Sequence, residues 1–306
     1  MIHLGTNPIA WSNDDLPELG SATPLEQCLT EAREAGFEGI ELGNKFPREA
    51  KALAAVLAAH GLRHVSGWYS GELLNRDVDA EIEAMTPHLE LLKANSARVL
   101  IYAEVSGCIH GQRDVPLSRR PVMPQAAWPE FAARLSALAK HVRDNGLHLV
   151  VHHHMGTVIE TEAEIDRLMA ETSADVGLLL DAGHATFAGA DPVALATRYA
   201  GRIHHVHCKD IRLELMAVAK AQDWSFLDAV VAGVFTVPGD GGVDFPAILA
   251  ALKAGGYDDG WMVVEAEQDP ARANPLTYAR LGHANLSAMA RAAGFEIAAP
   301  LPIPVS

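Results

Sequence analysis

The 306-residue sequence predicts a (β/α)8 TIM barrel: a closed parallel sheet wrapped by helices, forming a single domain over residues 1–306. Three observations predict it. Short apolar runs alternate with helical stretches along the chain, and each helix ends at Gly or Asn before the next run. There are eight such runs, and eight strand–helix units in a chain of this length favour a closed barrel over an open doubly wound sheet. No G-x-G-x-x-G follows the first run and no Walker motif occurs anywhere, which weakens a nucleotide-binding alternative.

HLGTNP opens the series as the first strand. In the helical stretch TPLEQCLTEAREAG, Thr23 is expected to cap, Pro24 to take the first helical position and Glu26 to complete a capping box. Leu25, Cys28, Leu29 and Ala32 share one face, and Gly36 ends the helix. FEGIELG is the second strand. REAKALAAVLAAHG repeats the helix-to-glycine pattern with Leu53, Val56 and Leu57 inward. LRHVSGW is the third strand, and the helix from Asp77 to Asn95 turns Ile82, Met85, Leu89 and Leu92 to the core. ARVLIYA is the fourth strand and WPEFAARLSALAKHVRDNG the helix behind it. LHLVVHH, VGLLLDAG, IHHVHCK and WMVVEAE are strands five to eight. The proline-rich tail, from about residue 295 to 306, reads as an extended appendage.

Two connections are long. One runs from Val105 to Trp128 after the fourth strand, the other from Ile211 to Asp244 after the seventh. Both leave the C-terminal ends of strands, the face on which barrel active sites lie, so they read as substrate covers.

The composition narrows the function. The net charge is −15, which argues against nucleic acid as partner because phosphate binding needs a basic patch. Cys28, Cys108 and Cys208 are odd in number and lack C-x-x-C spacing, so a reducing, cytoplasmic compartment is expected. No apolar run is long enough to span a membrane. A homo-oligomer is compatible with an outer shell of helices, but no patch in the sequence marks an interface.

The strand ends carry the chemistry. In IHHVHCKD, alternation places His205, His207 and Lys209 on one face, with Val206 and Cys208 toward the helices. Pointing such a face into a barrel is costly unless the groups have partners. The fifth run ends with His152 and His154 in phase, the sixth delivers Asp181 with His184 three further on, and the eighth delivers Glu265 and Glu267. Four successive strands thus bring His, Asp, His and Glu to one mouth. These N and O donors suit a divalent ion: Mn²⁺ or Co²⁺ first, Fe²⁺ or Zn²⁺ also. A single strand histidine is more often a structural residue, and the out-of-phase His153 and His204 read that way.

At these residues the chain resembles the xylose isomerase-like barrel superfamily of sugar isomerases, epimerases and dehydratases, and within it the inosose dehydratases. The likeness lies in TNPIAWSNDD, FEGIELG, SGWYSG, HHHMGT, LLLDAGH, HHVHCKD, VPGDGGVDF and VVEAEQDP, spread over nearly the whole chain. It implies Asp181, His207 and Glu265 as metal ligands. Where relatives read Glu-Asn-His, this chain reads His152-His153-His154, so His152 replaces a glutamate, with His154 or Glu267 as alternative ligands.

The reaction implied is loss of water from a cyclic polyhydroxy ketone, 2-keto-myo-inositol. A proton α to the carbonyl must leave and a β-hydroxyl must depart as water. For that chemistry His154 is the expected proton-transfer group and Lys209 would polarise the ketone or protonate the leaving hydroxyl. His184 would bind substrate or share the metal, while Trp68, Tyr69, Glu72 and Glu267 would line the substrate pocket. The alternatives are a sugar isomerase or 3-epimerase of the same superfamily and a non-catalytic sugar- or metal-binding protein. The acidic charge disfavours a DNA-repair endonuclease of related fold.

Overall fold

The structure is a computed structural model and describes residues 1–302. Eight parallel strands close into a barrel: β1 (Ile2–Thr6), β2 (Gly39–Leu42), β3 (Arg63–Gly71), β4 (Val99–Glu104), β5 (His148–His152), β6 (Val176–Asp181), β7 (Ile203–Cys208) and, after a short antiparallel pair, β8 (Asp210–Ile211) with β9 (Phe235–Thr236), the last stave β10 (Gly260–Val264). β1 and β10 close the ring over five consecutive pairs, from Ile2 with Gly260 to Thr6 with Val264. All eight barrel strands fall on the runs that the sequence marks. β10 stops at Val264, so Glu265 and Glu267 lie just past the strand end.

The helices α1 (Leu25–Glu34), α2 (Ala50–Ala59), α3 (Val78–Ala94), α4 (Trp128–Asp144), α5 (Glu162–Glu171), α6 (Ala182–Ala188), α7 (Pro192–Arg198), α8 (Leu213–Ala221), α9 (Phe226–Ala232), α10 (Phe245–Ala254) and α11 (Pro275–Ala292) pack outside the barrel or over its mouth. α4 shows the driving force. Phe131, Leu135, Leu138 and Val142 recur at helical spacing and all are buried. Each such side chain stabilises the fold by roughly 1.5–3 kcal/mol on burial. α1 starts differently from expectation. Pro24 is extended and forms the N-cap itself, without a side-chain cap. Thr23 lies outside the helix, and its carbonyl accepts a bond from Lys45 Nζ at 2.7 Å, so the expected capping box does not form.

Inside the barrel two small apolar layers lie apart from the main core. Val65, Trp261 and Val263 fill the bottom, while Val99, Ile101, Val150 and Leu179 pack above them with Trp68. Gly39 makes the lower layer possible: a Cβ there would sit 2.7 Å from both the Trp261 ring and a Val65 methyl. Above these layers the interior turns polar.

Residues near the C-terminus are tied to the first strand. Ile2 N donates to the Glu296 carbonyl, Ala298 N donates to the Ile2 carbonyl, each at 2.9 Å, and Arg33 reaches the Leu301 carbonyl. Residues 303–306 of the expected tail lie outside the described residues. Among the described residues no helix is long and apolar enough to cross a membrane.

Candidate metal centre and active site

The inward phase that holds Val150 and Leu179 in the apolar layer continues two residues on to His152 and Asp181. His207 is paired in register with Asp181 across the next strand boundary, and with Val263 of β10 on its other side. Glu265, two beyond Val263, completes the group. His152, Asp181, His207 and Glu265 are all buried, and one ligand atom from each lies within 4.8 Å of the others.

The arrangement inside this group leaves donor atoms free at its centre. Asp181 caps α6, its Oδ1 accepting from His184 N at 2.8 Å, which turns Oδ2 inward. That Oδ2 is 3.7 Å from His152 Nε2 and 3.6 Å from His207 Nδ1. His152 Nδ1 lies 3.1 Å from the His153 carbonyl, which places its proton there and leaves the Nε2 lone pair facing the group. His207 Nδ1 is 2.8 Å from Glu265 Oε2. Asp181 Oδ2, His207 Nδ1 and Glu265 Oε2 are buried and have no hydrogen-bond partner. Buried polar atoms are seldom left this way. Two imidazole nitrogens and two carboxylate oxygens converging on one point fit a divalent cation.

Glu41 supports the group from behind and was not singled out from the sequence. Its Oε1 lies 3.1 Å from His207 Nε2 and 2.8 Å from His205 Nε2, and its Oε2 accepts from Asn7 Nδ2 at 2.7 Å. The one sequence signal was an acid inside the apolar run FEGIELG.

A second cluster adjoins the first. His154, His184 and Glu267 are buried together, with the His154 and His184 rings 3.9 Å apart. Lys209 lies under both clusters with no exposed surface. Its Nζ is 2.8 Å from His184 Nε2, 2.8 Å from Glu267 Oε1 and 3.0 Å from Glu265 Oε2. The ammonium thus hydrogen-bonds His184 and Glu267 and lies in ion-pair contact with Glu265. Lys209 is absent from the cavity lining, so this geometry disagrees with the expectation that it touches the substrate ketone or hydroxyl. His184 is absent from that lining too: its ring packs at a tilt against that of His154 and its Nε2 meets the Lys209 ammonium.

The electrostatics follow from this packing. Burial alone would push Asp181 up and Lys209 down. The attraction between them and their neighbours wins, holding Asp181 low and Lys209 high. His207 is raised well above its ordinary value because the Glu265 and Glu41 carboxylates outweigh its burial. Burial drives His184 down to about 3, helped by the charges on His154 and Lys209. His154 moves the other way: Glu267 outweighs burial and raises it. Neighbouring imidazoles are thereby given opposite protonation preferences.

Above the clusters is a cavity of about 260 Å³ lined by His152, His154, His207, Glu265 and Glu267 on its floor. Trp68 stands over it, its ring 5.5 Å from those of both His152 and His154. Tyr69 and Glu72, expected to line the pocket, do not. β3 alternates, so Trp68 and Ser70 point inward and Tyr69 packs outward, 6.0 Å from His88 and 6.3 Å from Tyr102. Glu72 lies beyond the strand and pairs with Arg76 instead. The remaining wall holds Asn7, Asp15, Arg48 and His110, which come from loops or strand ends and carry no periodic signal. The long connection 105–127 supplies His110, and Phe226 from the other long connection covers His154 at 5.0 Å.

Comparison with known proteins gives this geometry a context. The profile of the xylose isomerase-like TIM barrel family matches residues 29–289. The rhizopine catabolism protein MocC of Rhizobium meliloti is 54% identical over 296 residues, 97% of this chain and 91% of that protein. An inosose dehydratase of Geobacillus thermodenitrificans is 45% identical over 280 residues, 91% of this chain and 94% of that protein. Among solved structures, the IOLI protein with a binding zinc atom superposes with a TM-score of 0.61 at 15% identity, covering 95% of this chain and 97% of that one.

Proposed function

Because the chain belongs to the xylose isomerase-like TIM barrel family, we propose that it is a metal-dependent hydro-lyase that dehydrates 2-keto-myo-inositol (inosose) to a cyclohexane dione. The observation that carries this reading is the 45% identity with an inosose dehydratase along 91% of the chain. The convergence of His152, Asp181, His207 and Glu265 supports it.

These four residues would hold a divalent cation, which would supply positive charge where negative charge builds on the substrate carbonyl oxygen. Two imidazoles and two carboxylates suit Mn²⁺ or Co²⁺, and Fe²⁺ or Zn²⁺ share the same donor preferences. The cavity has room for a six-membered polyol ring. His154 is the proton-transfer group beside the ligand cluster, because Glu267 raises its proton affinity and its ring reaches the cavity floor. Lys209 and His184 act from beneath, fixing Glu267 and Glu265 in place. Trp68 and Phe226 cover His154 and keep water from it. The unpaired cysteines and the lack of an apolar spanning helix among the described residues support a cytoplasmic setting.

Metal analysis of the purified protein, followed by an assay with 2-keto-myo-inositol, tests the reading. A bound divalent ion and a product absorbing in the ultraviolet as a diketone are expected. Return of an epimerised ketone without water loss would move the protein to the superfamily's epimerases instead. A second reading is favoured by the 54% identity with the rhizopine catabolism protein, and sets the same site to work in rhizopine catabolism.

A further inference from the structure

Two loops meet over the barrel mouth; the first sets Asp14 and Asp15 in the cavity wall and the second sets His110 there. The first loop follows β1. Buried Asn13 holds it, its Oδ1 accepting from the backbone N–H groups of Asp15 and Leu16, both at 2.8 Å. Leu16 is buried in a cluster with Met155, Phe187, Phe226 and Phe235. Asp15 is thus fixed between two anchors, with its side chain on the cavity wall. The second loop follows β4 and is pinned by the bond from Ile109 N to the Gly156 carbonyl at 2.9 Å. Gly156 has φ +78°, and a Cβ there would come within 2.9 Å of His110 N, so only glycine lets this loop approach.

His110 Nε2 lies 3.6 Å from Asp15 Oδ1. The other ring nitrogen is buried without a partner. The ring stands 5.1 Å from that of His154 and 6.1 Å from that of Trp68. Burial raises Asp15 to about 6, against the charge on His154, and lowers His110 to about 3. Of the two, the carboxyl therefore keeps its proton to the higher pH, and the imidazole stays neutral beside it. The dehydration needs an acid on the cavity wall to release the hydroxyl, and Lys209 has its donors engaged elsewhere.

We propose that Asp15 is that acid and that His110 is the residue that positions it. This rests on the dehydratase reading above. The bonds balance without any oxidant or reductant. A base takes the α-proton, and the C–H electron pair becomes the new carbon–carbon double bond. The β C–O bond breaks with its pair on oxygen. That oxygen takes the Asp15 proton and leaves as water, and the resulting enol tautomerises to the second ketone. The carboxylate regains its proton from solvent.

The test uses the whole metal-loaded protein in D₂O with 2-keto-myo-inositol, followed by NMR for exchange of the α-hydrogen and for dione formation. Asp15→Asn is expected to slow dehydration by roughly 10²–10⁴-fold while α-hydrogen exchange, metal content and melting temperature stay at wild-type levels. His110→Gln should slow dehydration in the wild type and add little in the Asp15→Asn background. Dehydration by Asp15→Asn within about threefold of wild type overturns the assignment. So does parallel loss of exchange and dehydration, and so do effects of the two variants that multiply. Wild-type protein inert in both readouts defeats the dehydratase reading and this assignment with it, a result distinct from failure of the variant alone.

Discussion

Glu41 Oε1 lies 3.1 Å from Nε2 of His207, and that contact decides which nitrogen of the ring faces the ligand cluster. With the Nε2 proton held by the carboxylate, Nδ1 is left to point at Asp181 and Glu265. Glu41 is itself held low because His207 and His205 outweigh the effect of its burial. Glu41→Gln removes the charge and keeps the shape. Metal affinity is expected to fall roughly 10–100-fold, read by competition with a chromogenic chelator. Unchanged affinity would show that His207 orients itself without help.

Asp181→Asn separates two jobs of one side chain. The amide oxygen can still cap α6 through His184 N, as Oδ1 does now. The anionic ligand is lost. The variant should stay folded but copurify with less than about a tenth of the wild-type metal, and turnover should drop by at least 10²-fold. Chelated Asp181→Asn protein that still turned over would defeat the metal-dependent mechanism.

Lys209→Met tests the ammonium beneath the clusters. Breaking a buried charge network by removing one partner costs roughly 3–5 kcal/mol, and here Glu267, Glu265 and Asp181 all face the gap. A fall in melting temperature of roughly 10 °C is expected in thermal unfolding. A neutral result would mean that these carboxylates find other partners.

His64 governs part of the acid stability. It is buried, and neither ring nitrogen has a hydrogen-bond partner. Burial lowers it to about 4, with the charge on His88 adding to the effect. The unfolded chain takes up a proton near pH 6.5 that the folded chain refuses. Its contribution is therefore complete above pH 6.5 and is lost as the pH falls toward 4, a change of up to roughly 3 kcal/mol. Denaturant unfolding between pH 7 and 4 should show this slope, and His64→Leu should flatten it.

The fold was legible because period-2 and period-3.6 patterns run the length of the chain. The same alternation that buries Val150 and Leu179 delivers His152 and Asp181, so the inward phase of the strand-borne members of the cluster could be read from sequence. Tyr69 was misplaced because aromatic character alone does not say which side of β3 a residue faces; Trp68 and Ser70 take the inner phase. Lys209 was in the right phase, but alternation fixes direction and not depth, and three neighbouring acceptors engage its charge below the cavity. Glu41 sits in a strand of four residues, too short to mark it as special. Asp15 and His110 sit in loops placed by Asn13 and Gly156, where no periodicity exists to be read.

The pairing of β1 with β10 has a consequence for biosynthesis. A ribosome releases Glu265 last of the four candidate ligands, just past the stave that also seals the cylinder against the first six residues of the protein. A nascent chain that has emerged only through Cys208 carries three of the four candidate ligands beside an open gap. A product truncated before Gly260 would lack both the closing stave and the fourth member of the candidate ligand set.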